Sequence, residues 1–378
     1  MDAILMLAQG LLVGFSVLGI VAADPAGIWR HLATLAVALL GTAVLSRVNP
    51  EYLVRIARAL FVLWLLLLLW VLFEGTGPGS QQEARRWIAI GGLYFQPSEF
   101  MKVILVLYLA SFFERRGTDY PIIGPVLAIG LAAGMIGAET DLGTAIFLLS
   151  LSLFILVIIG VPLRRLLAIG LLVLILTVSV HGIFQHDRFQ HLYVRIDAWR
   201  VLNQDTLLGR WLRFDPDLLE KLGSKDPDYA RLVHDALLQP RRARLIMKAA
   251  GPLGHGPGAG LPYQLPQRNN DFIFATITYA TGWFGAAMLI LAYALVFARG
   301  LQIATRSSGA VSVVALGLTG YLTLQALMNI AVTTAVVPVT GISLPMVSSG
   351  GSGLLAAGIA FGILHAISAR VLKPEVAR

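Results

Sequence analysis

The chain has 378 residues, of which 57% are hydrophobic and 13% are charged, and its mean hydropathy of +0.77 excludes a soluble globular protein. It contains no cysteine, which excludes disulfides, thiolate catalysis and cysteine-based metal sites. The net charge of +8 does not indicate nucleic-acid binding, because most of the cations lie in short loops between apolar segments.

Apolar runs that are long enough to cross a bilayer follow one another along most of the chain. They lie at roughly 3–23, 29–46, 52–73, 99–113, 121–137, 142–160, 165–186, 272–298, 310–332 and 346–369. The pattern predicts an all-α, polytopic integral membrane protein with about ten transmembrane helices. The first run has neither a basic start nor a small-residue cleavage site, so we expect a retained span rather than a signal peptide.

Basic residues concentrate in alternate loops, and this bias predicts the orientation of the chain. One set of loops, with the C-terminus, contains Arg47, Arg55, Arg58, Arg115, Arg116, Arg164, Arg165, Arg299, Arg306, Arg370, Lys373 and Arg378. The short loops on the other side contain only Arg30, Arg85 and Arg86. Both termini are therefore expected in the cytoplasm, and the outer face of the membrane is expected to carry the loops at 74–98, 138–141, 187–271 and 333–345. The whole chain, 1–378, is predicted to form a single transmembrane domain.

The first outer motif is "ARRWIAIGGLYFQPSEFMK", which contains Arg85, Arg86, Trp87, Glu99 and Lys102. Glu99 and Lys102 are three residues apart, so on a helix they share a face and can form an ion pair. One interpretation is a pair that extends to the bilayer interface, with Trp87 in the aromatic belt. The other is a charged platform for an anionic headgroup, which the two arginines favour.

The second outer motif, "GAETDLGTAIF", places Glu139 and Asp141 in a very short connection. One acid is expected to cap the helix that follows, because carboxylates stabilise helix N-termini. Two acids also admit a divalent cation such as Mg²⁺ or Mn²⁺, although two ligands do not define a metal site. The residues require no other cofactor.

The long outer loop, 187–271, changes composition along its length. Its first part mixes both charge signs with aromatic residues and predicts short amphipathic helices on the bilayer surface. Its last part, "RRARLIMKAAGPLGHGPGAGLPYQLPQRNN", begins with Arg241, Arg242 and Arg244 and becomes rich in Gly and Pro. This part predicts a half-helix followed by an irregular loop in which His255 is a turn residue.

Asp271 ends this loop, immediately before an apolar run. An isolated aspartate in that position usually caps the helix, but Asn269 and Asn270 already supply capping side chains. A single acid that follows several bases on the outer face can instead be a general base within an anion-binding cavity.

The last outer motif, "PVTGISLPMVSSGGSG", interrupts the final helices with Pro and Gly. Such irregular backbone is tolerated at membrane depth when it is buried in protein or lines a wet cavity. The hydroxyls of Ser348 and Ser349 beside a glycine-rich helix start are suited to bind phosphate oxygens. A seam of small residues between packed helices is the alternative.

These motifs, together with "ETDLGTA", "GPLGHG" and "NDFIFA", resemble those of the SEDS family (shape, elongation, division and sporulation) in order and spacing, from Arg85 to Gly353. The resemblance implies a peptidoglycan glycosyltransferase that polymerises lipid II with a class B penicillin-binding protein as partner. It places Asp271 on the family's essential aspartate, and Trp87, Glu99, Lys102 and Asp141 on other functional positions. The short N-terminal segment favours a role in elongation and cell shape over division.

The resemblance implies an inverting reaction, because a β-linked glycan is formed from an α-linked lipid pyrophosphate. We hypothesise that Asp271 is the base that deprotonates the acceptor hydroxyl. The cations of the outer motifs, with or without a divalent ion, would stabilise the leaving pyrophosphate: Arg241, Arg242, Arg244, Arg85, Arg86 and Lys102.

Two other functions are compatible with the sequence. A flippase for lipid-linked precursors would have a similar number of helices and a polar groove. Transport requires polar residues through the depth of the bilayer, however, whereas the polar motifs gather on the outer face, which favours surface chemistry. A non-catalytic scaffold for a transpeptidase is the second alternative.

Overall fold

The computed structural model describes residues 2–77, 85–91, 93–117, 121–167 and 190–371. The helices up to the long loop are α1 (Ala3–Ala23), α2 (Ile28–Leu45), α3 (Pro50–Glu74), α4 (Pro97–Arg116), α5 (Ile123–Ala138) and α6 (Leu142–Ile159). The later helices are α7 (Gln190–Asn203), α8 (Leu207–Trp211), α9 (Leu218–Lys225), α10 (Pro227–Ala249), α11 (Ile273–Thr305), α12 (Gly309–Thr333) and α13 (Gly351–Val371). Between α3 and α4, strands β1 (Ile88–Ile90) and β2 (Leu93–Phe95) form an antiparallel hairpin.

Seven helices among the described residues are long and apolar enough to cross a membrane, and α5 is a shorter apolar helix. The prediction of an all-α polytopic membrane fold is therefore confirmed. Most predicted spans agree with the helices within a few residues, but α11 continues seven residues beyond the predicted end. The span predicted at 165–186 lies mostly outside the described residues.

Helix α4 is the central helix of the bundle. Sixteen of its twenty residues are buried, because α3, α6, α12 and α13 pack around it. A helix that is apolar on every side is suited to such a position. Pro97 occupies its first turn, where the missing backbone N–H costs nothing, and the adjoining hairpin fixes where the helix begins. Side chains on α4 therefore face the interior rather than lipid.

Helix α11 is interrupted at Gly282, which has a φ of 72° and a ψ of −176°. The loop at 251–256 fits against this break and forms the hydrogen bonds that the helix lacks. His255 N and Gly256 N donate to the carbonyls of Tyr279 and Ala280, while Trp283 N and Phe284 N donate to the carbonyls of Gly251 and Pro252. The "GPLGHG" motif is thus irregular backbone that is stabilised by protein partners, and His255 lies between two turns rather than in one, with its ring stacked on Tyr279.

The helices of the long loop pack against one another. Val194 and Ala198 on α7 contact Val233 and Leu237 on α10, with α9 alongside. Apolar faces of α7 and α10 that were expected to lie on the bilayer are therefore covered by protein, and that of α9 is partly covered. In helix α8, Leu207 and Trp211 are 86% and 79% exposed, and its position on the bilayer surface remains a prediction.

Candidate functional site

Asp271 lies where the end of the long loop meets α12 and the segment at 341–349. Its carbonyl oxygen accepts hydrogen bonds from Asn329 Nδ2 (2.9 Å) and Thr333 Oγ1 (3.4 Å), both near the end of α12. Asn329 Nδ2 also donates to Ile342 O (2.8 Å), so the segment at 341–349 is joined to the same point. These bonds fix the backbone of Asp271 against α12 and the irregular segment at 341–349.

The side chain of Asp271 does not cap α11. Phe272 is the N-cap residue, and no side chain bonds to the first turn of this helix. Asp271 is partly exposed, while its Oδ1 atom is buried and has no hydrogen-bond partner among the described residues. The capping alternative is therefore wrong, and one oxygen of the carboxylate is unpaired.

The surroundings of Asp271 shift its ionisation toward neutral pH. Burial raises the pKa of the carboxyl to about 6, and the negative charge of Asp141 acts in the same direction. The positive charges of Arg195 and Arg86 oppose this shift. A carboxylate with such a pKa is mostly ionised at pH 7 and is still basic enough to accept a proton.

Arg86 connects the hairpin to the short turn between α5 and α6. Its Nε donates to Glu139 O (3.0 Å), and its Nη2 donates to both Thr140 O (2.7 Å) and Thr140 Oγ1 (3.1 Å). Thr140 has a φ of 63°, which is uncommon for a β-branched residue, so these bonds hold a strained turn in place.

The other residues of the first motif lie differently. Trp87 pairs with Thr76 in a two-residue bridge, and its ring is 6.0 Å from the Arg86 guanidinium. Arg85 is exposed and turns toward the end of α3, where it donates to Phe73 O (3.4 Å). The structure thus brings Arg86, rather than Arg85, into the electrostatic surroundings of Asp271.

Asp141 caps α6, as one of the two acids was expected to do. Its Oδ1 accepts from Thr144 N (3.1 Å), and its Oδ2 accepts from Gln96 Nε2 (3.1 Å). Gln96 N in turn donates to Ser352 Oγ (2.9 Å) at the start of α13. Asp141 therefore links α6 to the beginning of α4 and of α13.

Glu139 is 2% exposed, and neither carboxyl oxygen has a hydrogen-bond partner among the described residues. Burial raises its pKa to about 9, and the charge of Asp141 adds to this effect, so the group is protonated at pH 7. Within the described ranges, no group of three His, Asp or Glu residues converges, and a cation at Glu139 and Asp141 remains a prediction.

Glu99 and Lys102 form the ion pair that their spacing predicts, with Lys102 Nζ 2.8 Å from Glu99 Oε1. The pair is buried inside the bundle, so the interpretation of an interfacial pair is wrong. Lys102 Nζ also donates to Gln325 Oε1 (2.9 Å), and Gln325 Nε2 donates to Ser343 O (3.0 Å). The pair therefore supports the segment that follows α12.

Ser348 and Ser349 form hydrogen bonds with the two residues that precede Asp271. Ser348 Oγ donates to Asn270 O (2.8 Å) and accepts from Leu344 N (2.7 Å). Ser349 N donates to Asn269 O (2.9 Å). These contacts give both serines a positioning function, and phosphate binding by them remains a prediction.

The arginines of α10 mainly organise the long loop. Arg244 donates to Leu202 O (3.1 Å) and Asn203 Oδ1 (2.8 Å), which ties α10 to the end of α7. Arg242 donates to Gln264 O (3.0 Å), and Arg241 is exposed. A direct contribution of these three residues to a leaving group remains a prediction.

Arg195 on α7 is a candidate residue that sequence reasoning missed. Its Nη1 donates to Val339 O (3.3 Å), and its charge acts on Asp271. Trp199 Nε1 and Asn203 Nδ2, on the same helix, both donate to Ala335 O at 3.0 Å. Arg195 therefore lies close enough to act on Asp271 because α7 packs on residues 335–339. A motif search does not single out one arginine in an amphipathic helix.

Comparison with known proteins gives a consistent result. A family model described as FTSW_RODA_SPOVE, cell cycle protein, matches residues 1–206 and 233–372. A protein named probable peptidoglycan glycosyltransferase FtsW, from Alkalilimnicola ehrlichii, is 29% identical over 355 residues, covering 89% of this chain and 79% of the relative. Stage V sporulation protein E of Bacillus subtilis is 28% identical and covers 82% of this chain and 59% of the relative.

Two solved structures share the fold over 98% of both chains. One, described as "Structural coordination of polymerization and crosslinking by a peptidoglycan synthase complex", has a TM-score of 0.72 and 26% identity. The other, the rod shape determining protein RodA of Thermus thermophilus, has a TM-score of 0.66 and 23% identity, which indicates likeness of fold alone.

Proposed function

This chain belongs to the family of FtsW, RodA and SpoVE cell cycle proteins, and from that membership we propose that it is an inverting peptidoglycan glycosyltransferase that polymerises lipid II. The observation that carries the proposal is the state of Asp271. This carboxylate is partly exposed, has one oxygen with no hydrogen-bond partner in the described part of the chain and a pKa of about 6, and is acted on by Arg86 and Arg195.

In the proposed reaction, Asp271 accepts the proton of the acceptor sugar hydroxyl. At the same time, the oxygen of that hydroxyl forms a bond to the anomeric carbon of the donor. The bond from that carbon to the lipid pyrophosphate breaks, and the pyrophosphate leaves with the electron pair. Arg86 and Arg195 stabilise the charge that develops on it, because cations fixed in a partly desolvated site act strongly on such charge. A divalent cation, if bound, would add to this stabilisation.

Location and process are part of the proposal. The basic residues favour termini in the cytoplasm and a site at the outer face of the cytoplasmic membrane. The solved relative described as a peptidoglycan synthase complex supports a class B penicillin-binding protein as partner. We propose elongation and cell shape as the process, whereas the names of the FtsW relatives favour division; complementation of strains depleted of either function decides between them.

The central test compares Asp271→Asn and Asp271→Ala with the parent in glycan polymerisation from purified lipid II. Loss of a general base should lower the rate by about 10²-fold or more, with an unchanged melting temperature. Asp226→Asn is the matched control, because Asp226 caps α10 in the same loop and asparagine caps equally well.

Full polymerisation by the folded Asp271 variants would remove Asp271 from catalysis. If Asp271 variants that no longer polymerise lipid II retained partner binding and still supported glycan synthesis in cells, the scaffold function would be favoured. If lipid II translocation, rather than polymerisation, were lost in vesicles, the flippase function would be favoured.

A further inference from the structure

A polar cavity of about 490 Å³ lies at the end of the bundle opposite to Asp271. It is formed where α3 begins, α4 ends, α11 connects to α12, and α13 ends. Asp271 precedes the start of α11, whereas the cavity borders the end of this helix, so a membrane-spanning helix separates the two places. The volume lies within the range of small-molecule binding sites.

Four arginines from four different elements line this cavity. They are Arg55 on α3, Arg115 on α4, Arg306 in the connection between α11 and α12, and Arg370 on α13. Two acids, Glu51 and Glu114, also line it, so the cavity has two more positive than negative charges. Residues that are far apart in the chain thus place positive charge around one space.

The guanidinium groups are available to a ligand. All four arginines are exposed, and none of them forms an ion pair within the described part of the chain. Arg370 donates to the carbonyls of Ala366 (2.8 Å) and Val48 (3.4 Å). Glu114 is partly occupied, because its Oε1 accepts from Ala310 N (3.3 Å) in the first turn of α12.

Two further features favour a lipid anion over a soluble one. The 25-residue helix α12 begins at the cavity, and the Glu114 carboxylate bonds to its first turn, so the positive end of the helix dipole offsets part of the negative charge of Glu114. Val54, Val311 and Ile367 form an apolar part of the wall. Because the ends of spanning helices enclose the cavity, it lies at the level of a bilayer surface.

We propose that this cavity binds the headgroup of an anionic phospholipid that carries two phosphodiesters, of the cardiolipin type. Guanidinium groups bind phosphate through paired hydrogen bonds, and basic pockets between transmembrane helices are suited to such headgroups. Two phosphodiesters match the two excess positive charges. Arginines that only orient a membrane protein need not converge on one cavity.

The test uses the purified full-length protein and measures binding of short-chain cardiolipin, phosphatidylglycerol and phosphatidylcholine, with inorganic pyrophosphate as the soluble competitor. Cardiolipin should bind most tightly and phosphatidylcholine least. In the double variant Arg115→Gln/Arg306→Gln, we expect cardiolipin affinity to fall roughly 30-fold, from the loss of two cations near a membrane surface. Arg164→Gln is the control, because Arg164 lies beyond the end of α6 on the same side of the bundle, outside the cavity.

A second double variant, Arg115→Lys/Arg306→Lys, keeps the charge and removes the paired hydrogen bonds. Its loss of cardiolipin affinity should be smaller than that of the glutamine variant. It also keeps the test valid if the glutamine variant unfolds. Unchanged affinity in the double glutamine variant, or an equal loss in Arg164→Gln, would overturn the proposal. Displacement of cardiolipin by an equimolar amount of pyrophosphate would overturn it in favour of a free-anion site.

Discussion

The ionisation of Asp271 should control the pH dependence of polymerisation. Burial holds its pKa at about 6, so the carboxylate that accepts the proton is present above that pH and is lost below it. We expect kcat/KM to rise through about pH 6 and then to level off. Initial rates of lipid II consumption from about pH 5 to about pH 8 measure this; a flat profile would contradict the assignment.

Glu139 should make the fold less stable as the pH rises. Its pKa in the folded protein, about 9, is far above the ordinary glutamate pKa of 4.5, so the folded state binds the proton more tightly than the unfolded state does. Stability is therefore greatest below the ordinary pKa and declines as the pH rises toward 9.

The variant Glu139→Gln removes this ionisation and keeps the shape of the side chain. Its apparent melting temperature should exceed that of the parent by at least about 2 °C at about pH 8, and the difference should shrink near pH 5. Glu220→Gln, at an exposed position on α9, should leave the melting temperature unchanged at both pH values. Equal curves for parent and Glu139→Gln at both pH values would show that Glu139 is not buried as described.

At the scale of single elements, the break in α11 depends on Gly282. Its backbone conformation is accessible only to glycine, and an added Cβ would clash with the carbonyl oxygen of Pro252. We expect Gly282→Ala to destabilise the protein by on the order of 3 kcal/mol, measured as a lower apparent melting temperature. Gly10→Ala is the control, because a Cβ at this exposed position on α1 meets nothing within 4 Å. The prediction fails if both variants melt together.

The sequence predicts most spans because apolar length depends only on neighbouring residues, and α1, α2 and α6 begin and end close to the predicted residues. It does not predict the break at Gly282, because that break is stabilised by a loop about 30 residues earlier in the chain. The same limit applies to the site. Asp271, Asp141 and Glu139 stand out because acids are rare near apolar runs, whereas Arg195 becomes significant only when α7 docks on Val339.

At the scale of the whole molecule, Asp2 joins the start of the chain to two distant helices. Its carboxylate accepts from Arg299 near the end of α11 and from Ser368 Oγ (2.8 Å) on α13, and it is 8% exposed. Burial acts to raise the pKa of Asp2. The hydrogen bonds that its carboxylate accepts from Arg299, Ser368 and the first turn of α1, together with the positive charge of Arg299, nevertheless hold this pKa well below its usual range. The charge therefore persists across the neutral pH range.

Asp2→Ala leaves Arg299 in a largely desolvated position without its partner. We expect a loss of about 3–5 kcal/mol in stability, measured as a lower apparent melting temperature. Asp228→Ala is the matched control, since Asp228 pairs with Arg231 on the exposed surface of α10, where a pair contributes about 1 kcal/mol or less. Similar losses in the two variants would mean that Asp2 does not fasten the helices together.

The hydrogen bonds between 251–256 and the interrupted α11 have a consequence for biosynthesis. Backbone N–H and C=O groups without hydrogen-bond partners are energetically unfavourable in the hydrocarbon core of a bilayer. Neither segment is therefore stable there without the other. The carbonyls of Gly251 and Pro252 can therefore accept their hydrogen bonds only after the ribosome has synthesised the chain as far as Phe284. The end of α10 and the beginning of α11 should consequently enter the bilayer as one unit, and a nascent chain released before Phe284 should leave the earlier segment accessible to protease.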